Sequence, residues 1–202
     1  MFRFLALLAP CALLAAIPLR AGEPAVGDAA PAFTLRDAAG EDHSLSDYSG
    51  KWVVLEWVNY DCPFVRKHYR SGNMQSLQAG YRKKGVIWLS ICSSAPGNQG
   101  HFKNSDLIKR IRTEKAEPTA YLADPEGTTG RAYGARTTPH MFLISPEGTL
   151  VYAGAIDDIP SADQDDIGRA RNYLRQALDA SLAGKPVPTA SSRPYGCSVK
   201  YR

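Results

Sequence analysis

Two apolar runs dominate the pattern of hydrophobic and polar positions along the chain. Residues 52–58 and residues 86–92 are rich in β-branched and aromatic side chains, which is typical of strands in the middle of a sheet. The segment between them predicts a helix that is kinked or split near Gly72. Its apolar positions recur at helical spacing at Met74, Leu77 and Tyr81. The pattern therefore predicts a strand–helix–strand unit with a right-handed crossover and two parallel strands.

The flanking segments predict further short elements around this unit. Turn residues at 37–42 follow a short alternating segment at 32–35, which indicates an N-terminal β-hairpin. A third strand is expected at 119–123 and an antiparallel hairpin at 140–153, where Pro and Gly occupy the turn. Apolar residues recur at three- and four-residue steps from 163 to 183, which predicts one long amphipathic helix. The expected fold class is α/β, with a central mixed sheet flanked by helices.

The first 21 residues have the composition of an export signal. A basic start is followed by a short apolar stretch that contains Pro10 and Pro18, and a small residue, Ala21, stands where cleavage is expected. We expect residues 1–21 to be a signal peptide that directs the protein to the periplasm or outside the cell, without a stable membrane anchor. Residues 22–185 then form one domain, followed by a Pro- and Ser-rich tail, residues 186–202.

Charge and motif content exclude several classes of protein. The full chain has 24 basic and 20 acidic residues, and loss of Arg3 and Arg20 with the signal leaves 22 against 20, a net charge of +2. The sequence has no basic stripe, no zinc-type Cys/His spacing and no phosphate-binding glycine loop. We therefore expect neither a nucleic-acid partner nor a metal or other cofactor.

The cysteines indicate redox chemistry. After removal of the signal, the chain keeps Cys62, Cys92 and Cys197, and an odd number in an exported protein leaves at least one thiol free or paired outside the chain. Cys62 follows the first apolar run, and Pro63 suits the first position of a helix, so that Cys62 is predicted to cap it. The positive end of the helix dipole and the nearby basic residues favour the thiolate. Cys62 is therefore the candidate nucleophile.

The order of elements resembles the thioredoxin fold, and more narrowly the peroxiredoxin-like branch of redoxins, the alkyl hydroperoxide reductase and thiol-specific antioxidant family. The resemblance covers roughly residues 25–183 and extends into the tail. Four segments carry it: Asp61-Cys62-Pro63-Phe64-Val65, Trp88-Leu89-Ser90-Ile91, Gly134-Ala135-Arg136-Thr137-Thr138-Pro139, and Arg193-Pro194-Tyr195-Gly196-Cys197-Ser198-Val199-Lys200.

The resemblance implies site residues around Cys62. Pro139 should be the cis-proline that faces the redox cysteine, with Thr138 offering its backbone to an extended substrate. The alternative explanation is that Pro139 is simply the first residue of an edge strand. Supporting roles fall to Asn59, as a hydrogen-bond donor, and to Arg136 or Arg131, as the cation of a peroxide pocket.

The sequence also departs from the patterns of both related families. A thioredoxin has a second cysteine where this chain has Val65, so the local dithiol is missing. Peroxiredoxins have threonine or serine where Asn59 stands and proline where Leu55 stands. These departures favour disulfide exchange or general antioxidant chemistry slightly over peroxide reduction.

The partner of Cys62 is left open by the sequence. Cys197 could resolve an oxidised Cys62, form a structural disulfide or stay free. Cys92 ends the neighbouring parallel strand and is interpreted first as a packed small residue and second as an alternative partner. His68 is interpreted as a helix-surface histidine without a role.

These features lead to two functional hypotheses. The first is an exported thiol oxidoreductase that uses Cys62 as nucleophile and Cys197 as resolving thiol, with a thiol or disulfide electron-donor protein and a small peroxide or disulfide substrate as partners. The second is a non-catalytic binding module or a metallochaperone-like protein. The metal version is disfavoured because a copper carrier of this fold is expected to have a second cysteine where this chain has Arg66.

Overall fold

The structure, a computed structural model, describes residues 22–202, so the expected signal peptide lies outside the described residues. The strands are β1 (Thr34–Asp37), β2 (Asp42–Ser44), β3 (Val53–Trp57), β4 (Ile87–Cys92), β5 (Ala120–Ala123), β6 (Thr137–Thr138), β7 (His140–Ile144), β8 (Leu150–Gly154) and β9 (Cys197–Ser198). The α-helices are α1 (Pro63–Arg70), α2 (Asn73–Arg82), α3 (Asn104–Thr113), α4 (Thr128–Ala132) and α5 (Tyr173–Leu182). Two 3-10 helices cover Leu45–Tyr48 and Gln164–Gly168.

Seven strands form a central mixed sheet in the order β2-β1-β5-β4-β3-β7-β8. Strands β3, β4 and β5 run parallel, whereas β7 pairs with β3 in the antiparallel direction. The predicted N-terminal hairpin is present and extends the sheet at one edge through β1 and β5. Cys62 follows β3, and Cys92 is the last residue of β4. Because the two strands are parallel, both cysteines lie toward the same edge of the sheet.

Strand β3 is buried on both faces because helices and loops cover both sides of the sheet. Val54 contributes to a core that includes Tyr69, Leu77 and Leu178 from the helices on one side. Leu55 and Trp57 contribute to a second core on the other side. The near-continuous apolar sequence of β3 thus reflects two cores, since successive side chains of a strand point to opposite faces. The expected split of the helix after β3 is also present, with Gly72 at φ +75° between α1 and α2.

The prediction of one long helix over 163–183 is wrong. The segment forms a 3-10 helix, Gln164–Gly168, and a separate helix α5 that begins after Asn172. The Asn172 side chain accepts a hydrogen bond from the Arg175 backbone at 2.8 Å and so caps α5. Just before it, the Arg171 backbone donates to the Asp158 carboxylate at 2.8 Å. These polar contacts therefore separate the 3-10 helix from α5, although the helical spacing of apolar residues continues through both elements.

The tail is an ordered part of the fold rather than a loose end. The Ser192 backbone donates to Ala153 O at 3.2 Å, which holds the tail along the outer strand β8. Farther on, β9 pairs with β6, and the Tyr201 hydroxyl donates to Ala135 O at 2.7 Å. The tail thus crosses the molecule from β8 to the loop before β6. Within residues 22–202, no helix has both the length and the apolar character required to cross a bilayer.

Candidate active site

Cys62 stands at the junction between the end of β3 and the first turn of α1, as predicted. It is the N-cap of α1, and Pro63 occupies the first helical position, where its missing N–H leaves no hydrogen bond unmade. The side chain of Cys62 is 0% exposed. Its Sγ donates a hydrogen bond to the backbone oxygen of Thr138 at 3.0 Å, across 76 residues of sequence. The fold therefore fixes the candidate nucleophile against the loop that precedes β7.

The Thr138–Pro139 peptide bond is cis, as the resemblance implied. Thr138 belongs to the short strand β6 and is buried. Its carbonyl faces Cys62, and β6 is paired with β9 from the tail. The backbone that was expected to receive an extended substrate thus holds an extended segment of the same chain.

Cys197 lies opposite Thr138 in this short antiparallel pair. The residue before it, Gly196, has φ +140°, and a Cβ at that position would collide with Thr138 O. Glycine is therefore required for the tail to approach this closely. Burial, assisted by the neighbouring Cys62 thiol, raises the pKa of Cys197 to about 11. Cys62 and Cys197, 135 residues apart in sequence, are brought side by side as free thiols.

Cys92 is buried at the end of β4, but its thiol has other partners. Its Sγ donates to Gly100 O at 3.4 Å, and it lies beside the buried hydroxyl of Tyr121. Proximity of strand ends is thus insufficient to pair Cys92 with Cys62, since the two thiols are directed to different loops.

The side chains of the two supporting residues suggested by the resemblance are directed away from the Cys62 thiol, although the Asn59 backbone oxygen accepts a hydrogen bond from the Cys62 N–H at 2.9 Å. The Asn59 amide donates to Gln99 O at 3.3 Å, and its oxygen accepts from the Asp61 backbone at 2.9 Å. The Arg136 guanidinium forms an exposed ion pair with Glu23.

Arg131, the alternative cation, is also engaged elsewhere. Its guanidinium lies over the Tyr201 ring at 4.5 Å from the ring centroid. Neither arginine supplies a cation to Cys62 in this arrangement.

Two basic residues of α1 are paired with neighbouring carboxylates. Arg66 contacts Asp61 at 3.0 Å. Lys67, whose side chain is 0% exposed, contacts Asp157 at 3.1 Å. The sequence-based interpretation of His68 as a surface residue is wrong, because its side chain is fully buried beside the Lys67–Asp157 pair. Burial and the charge of Lys67 lower the pKa of His68 to about 4 against the opposing effect of Asp157, so the ring is neutral at pH 7.

A buried carboxylate, Glu56, was not identified by the sequence reasoning although its signal was visible. It is an isolated acid within the apolar run of β3 and is 0% exposed. Burial raises its pKa, and hydrogen bonds from four side chains oppose this effect. The donors are Tyr69, Gln78, Trp88 and Ser90. This network joins α1 and α2 to the sheet directly before the strand reaches Cys62.

Within residues 22–202, a group of potential metal ligands lies on the N-terminal hairpin and not at Cys62. It consists of Asp37, Glu41 and His43. Both ring nitrogens of His43 already have neighbours, the Tyr48 hydroxyl at 2.6 Å and the Asp37 carboxylate at 3.3 Å. Strands β5 and β4 separate this hairpin from β3. In the described part of the chain, this group is therefore separate from Cys62 and Cys197.

Comparison with known proteins places this geometry among thiol redox proteins. The family model "AhpC/TSA family" matches residues 26–153. The thiol-disulfide oxidoreductase ResA of Geobacillus kaustophilus (strain HTA426) is 32% identical over 127 residues, which are 62% of this chain and 67% of the relative. A thioredoxin peroxidase of Fasciola hepatica is 28% identical over 163 residues, or 76% of this chain and 78% of the relative.

Among solved structures, a hypothetical protein SMc02350 from Sinorhizobium meliloti 1021 is similar over nearly the whole described chain. The TM-score is 0.77 at 28% identity, and the match covers 89% of this chain and 96% of the other. The mixed sheet, the helix that begins after Cys62 and the cis-Pro139 loop are those of a thioredoxin-like fold. The chain belongs to the AhpC/TSA family of thioredoxin-like redoxins and is a thiol oxidoreductase.

Proposed function

We propose that the protein is an exported thiol oxidoreductase in which Cys62 is the nucleophile and Cys197 the resolving thiol. The observation that carries the proposal is the placement of Cys197 opposite Thr138, whose carbonyl accepts the hydrogen bond of Cys62. A sulfur attached to Cys62 can be attacked by a thiol only if that thiol is close by, and Cys197 is already there. The domain, residues 22–185, and the tail, residues 186–202, act as one catalytic unit in this proposal.

Disulfide exchange is the favoured reaction. The Cys62 thiolate attacks one sulfur of a disulfide, forms a mixed disulfide and releases the other half as a thiolate. The Cys197 thiolate then attacks the Cys62 sulfur and releases the second half. The substrate gains two electrons, the protein keeps an intramolecular disulfide, and an external thiol donor reduces it again.

Peroxide reduction is the second candidate, favoured by the similarity to a thioredoxin peroxidase. Here the Cys62 thiolate attacks a peroxide oxygen, gives a sulfenic acid and releases water or an alcohol. The Cys197 thiol then condenses with the sulfenic acid, forms the Cys62–Cys197 disulfide and releases one water. The side chains of Asn59, Arg136 and Arg131 have partners away from the Cys62 sulfur, which argues against this version, since a peroxide pocket needs a donor and a cation at the reacting sulfur.

The two candidates are tested by single-turnover oxidation of the reduced protein. We expect bis(2-hydroxyethyl) disulfide to produce a Cys62–Cys197 disulfide in peptide maps and to release two equivalents of 2-mercaptoethanol. With hydrogen peroxide we expect Cys62 to be oxidised no faster than a free cysteine. Rapid stoichiometric oxidation of Cys62 by peroxide would reverse the order of the candidates, and a Cys62→Ser protein with full biological activity would favour a binding module instead.

Export through residues 1–21 is part of the same proposal. Its support is the basic start, the apolar stretch and Ala21 in the sequence. The test is the mass of the protein recovered from a secreting host, which should correspond to a chain that begins near Gly22. Recovery of the uncleaved chain inside the cell would contradict it.

A further inference from the structure

A buried polar cluster holds the tail next to the redox cysteines. It is formed by Lys67, His68, Asp157 and Tyr195, and we call it the tail anchor. The Tyr195 hydroxyl donates to the Asp157 carboxylate and accepts from Lys67 Nζ at 3.2 Å. Lys67 Nζ also donates to Ile159 O at 2.8 Å and pairs with Asp157 at 3.1 Å. The three protons of the lysine thus have three acceptors, one of which is the tail hydroxyl.

Burial makes this hydroxyl important. The side chains of Lys67 and Asp157 are 0% and 2% exposed, so the ion pair has lost its water and depends on full hydrogen bonding. Removal of the Tyr195 hydroxyl leaves one donor of Lys67 and one acceptor site of Asp157 unpaired. A hydrogen bond to a charged group stabilises a structure more than one between neutral groups does. Movement of Tyr195 away from Lys67 and Asp157 is therefore unfavourable.

Two residues of the tail anchor, Lys67 and His68, lie on the helix that Cys62 caps. Cys62 caps α1, and α1 also carries Phe64, whose ring packs edge-on against Tyr195 at 5.9 Å between centroids, and Lys67. Tyr195 stands two residues before Cys197, and the intervening Gly196 fits closely against Thr138. The position of Cys197 relative to Cys62 is therefore set from one rigid element.

The same segment covers Cys62. The Cys62 side chain is 0% exposed. Residues 195–198 lie along β6, whose Thr138 carbonyl accepts the hydrogen bond of Cys62. The tail is also held on either side, by Ser192 at β8 and by the Val199 backbone, which donates to Arg136 O at 3.0 Å. A substrate disulfide can thus reach Cys62 only if the short piece between these two attachments moves.

We propose that Tyr195 is a positioning residue for the Cys62–Cys197 couple, holding residues 195–198 closed over Cys62 through the tail anchor. Opening of this segment admits the substrate sulfur to Cys62, and closure returns Cys197 to attack the Cys62 sulfur. The inference rests on the proposed function, because it assigns Cys197 the resolving step. It assigns Tyr195 no contact with substrate.

The test is the Tyr195→Phe variant, which keeps the ring against Phe64 and removes only the hydroxyl. Two rates are measured in the full chain: alkylation of Cys62 by iodoacetamide, located by peptide mapping, and decay of the Cys62 mixed disulfide after a pulse of bis(2-hydroxyethyl) disulfide. We expect alkylation to become roughly tenfold faster and adduct decay roughly tenfold slower, as for the loss of one charge-assisted hydrogen bond. A purely structural role would not change the two rates in opposite directions.

Two further variants complete the experiment. Tyr173→Phe is the matched control, since Tyr173 lies beside the same tail segment and its hydroxyl, among residues 22–202, accepts a single hydrogen bond, from Arg171 at 3.5 Å. It should leave both rates unchanged. Gly196→Ala should reproduce the effects of Tyr195→Phe, because the added Cβ collides with Thr138 O. Agreement of the two tail variants also excludes an effect peculiar to one unstable protein.

The possible outcomes separate this inference from the proposed function. Unchanged rates in Tyr195→Phe, or faster alkylation with normal adduct decay, would overturn the positioning role. If the wild-type adduct persists and no Cys62–Cys197 disulfide ever forms, the proposed function fails, whereas the alkylation measurement still tests whether Tyr195 keeps the segment closed.

Discussion

Cys197 and Thr138 are antiparallel partners in a two-residue ladder, and the carbonyl of Thr138 accepts the hydrogen of the Cys62 thiol. The tail cysteine therefore occupies the position that an extended substrate would take at the cis-proline loop. Val65 stands where a thioredoxin has its second cysteine, and the thiol that lies beside Cys62 comes instead from the tail. The expectations below follow from this arrangement and from the buried groups that support it.

Removal of Cys197, the proposed resolving thiol, should stop the reaction at its intermediate. In Cys197→Ser, bis(2-hydroxyethyl) disulfide should leave a stable adduct on Cys62, seen by intact mass spectrometry after an acid quench. Cys92→Ser is the matched control and should form the intramolecular disulfide normally, because the Cys92 thiol is directed to Gly100 O. An adduct that decays in Cys197→Ser but persists in Cys92→Ser would assign the resolving role to Cys92.

Resolution should accelerate with pH. Burial, assisted by the Cys62 thiol, raises the pKa of Cys197 to about 11 in the reduced protein, and burial, the largest cause, remains when Cys62 carries an adduct, so the Cys197 thiolate is a minor species at pH 7. Because the thiolate is the attacking species, decay of the Cys62 adduct should rise roughly tenfold per pH unit from pH 7 to 9. The charge of Lys200 opposes the shift, and Lys200→Gln should slow the decay slightly. A rate independent of pH would show that another step limits resolution.

Oxidation should stabilise the protein. A Cys62–Cys197 disulfide closes a loop of more than a hundred residues, and the chain-entropy account assigns such a bond about 4–5 kcal/mol. Chemical denaturation of the oxidised and reduced forms should therefore give a higher midpoint for the oxidised form. The Cys197→Ser variant, treated in the same way, should show no such difference. A less stable oxidised form would indicate that the bond distorts β6 and β9.

Acid should destabilise the fold through two buried histidines. Burial lowers the pKa of His68 to about 4 and that of His140 to about 3, below the ordinary value of 6.5. The unfolded chain then binds more protons than the folded one, so stability is full above pH 6.5 and falls as the pH decreases toward these values. For His68 the loss is roughly 3 kcal/mol. Urea denaturation between pH 7 and 4 should show this decrease, and His68→Gln should remove its share of the slope.

Loss of the Glu56 carboxylate should be costly although it lies outside the redox couple. Glu56→Ala leaves four buried donors without their acceptor, and we expect the free energy of unfolding to fall by about 3–5 kcal/mol. Tyr69→Phe removes one of these donors and should cost roughly 1 kcal/mol. Thermal or urea denaturation measures both. Equal effects of the two variants would contradict the assignment of Glu56 as the centre of the network.

The strand–Cys–Pro–helix unit could be predicted because its causes are local. The β-branched run of β3, the proline after Cys62 and the glycine between α1 and α2 each constrain their own backbone, whatever the rest of the chain does. The cis bond before Pro139 was expected only from the resemblance to a known family. The prediction of one long helix over 163–183 was wrong because the spacing of hydrophobic residues carries no information about two polar contacts. These are the cap at Asn172 and the hydrogen bond from the Arg171 backbone to Asp158.

The sequence by itself determined the candidate nucleophile, the missing local partner at Val65 and the presence of a distant third cysteine. Only the tertiary structure decided which thiol meets Cys62. The choice depends on contacts between residues far apart in sequence, since Tyr195 is anchored to Lys67 and Gly196 fits against Thr138, and no local propensity encodes such pairs. For the same reason His68, which has the sequence signature of a surface residue, becomes buried once Asp157 and the tail cover α1.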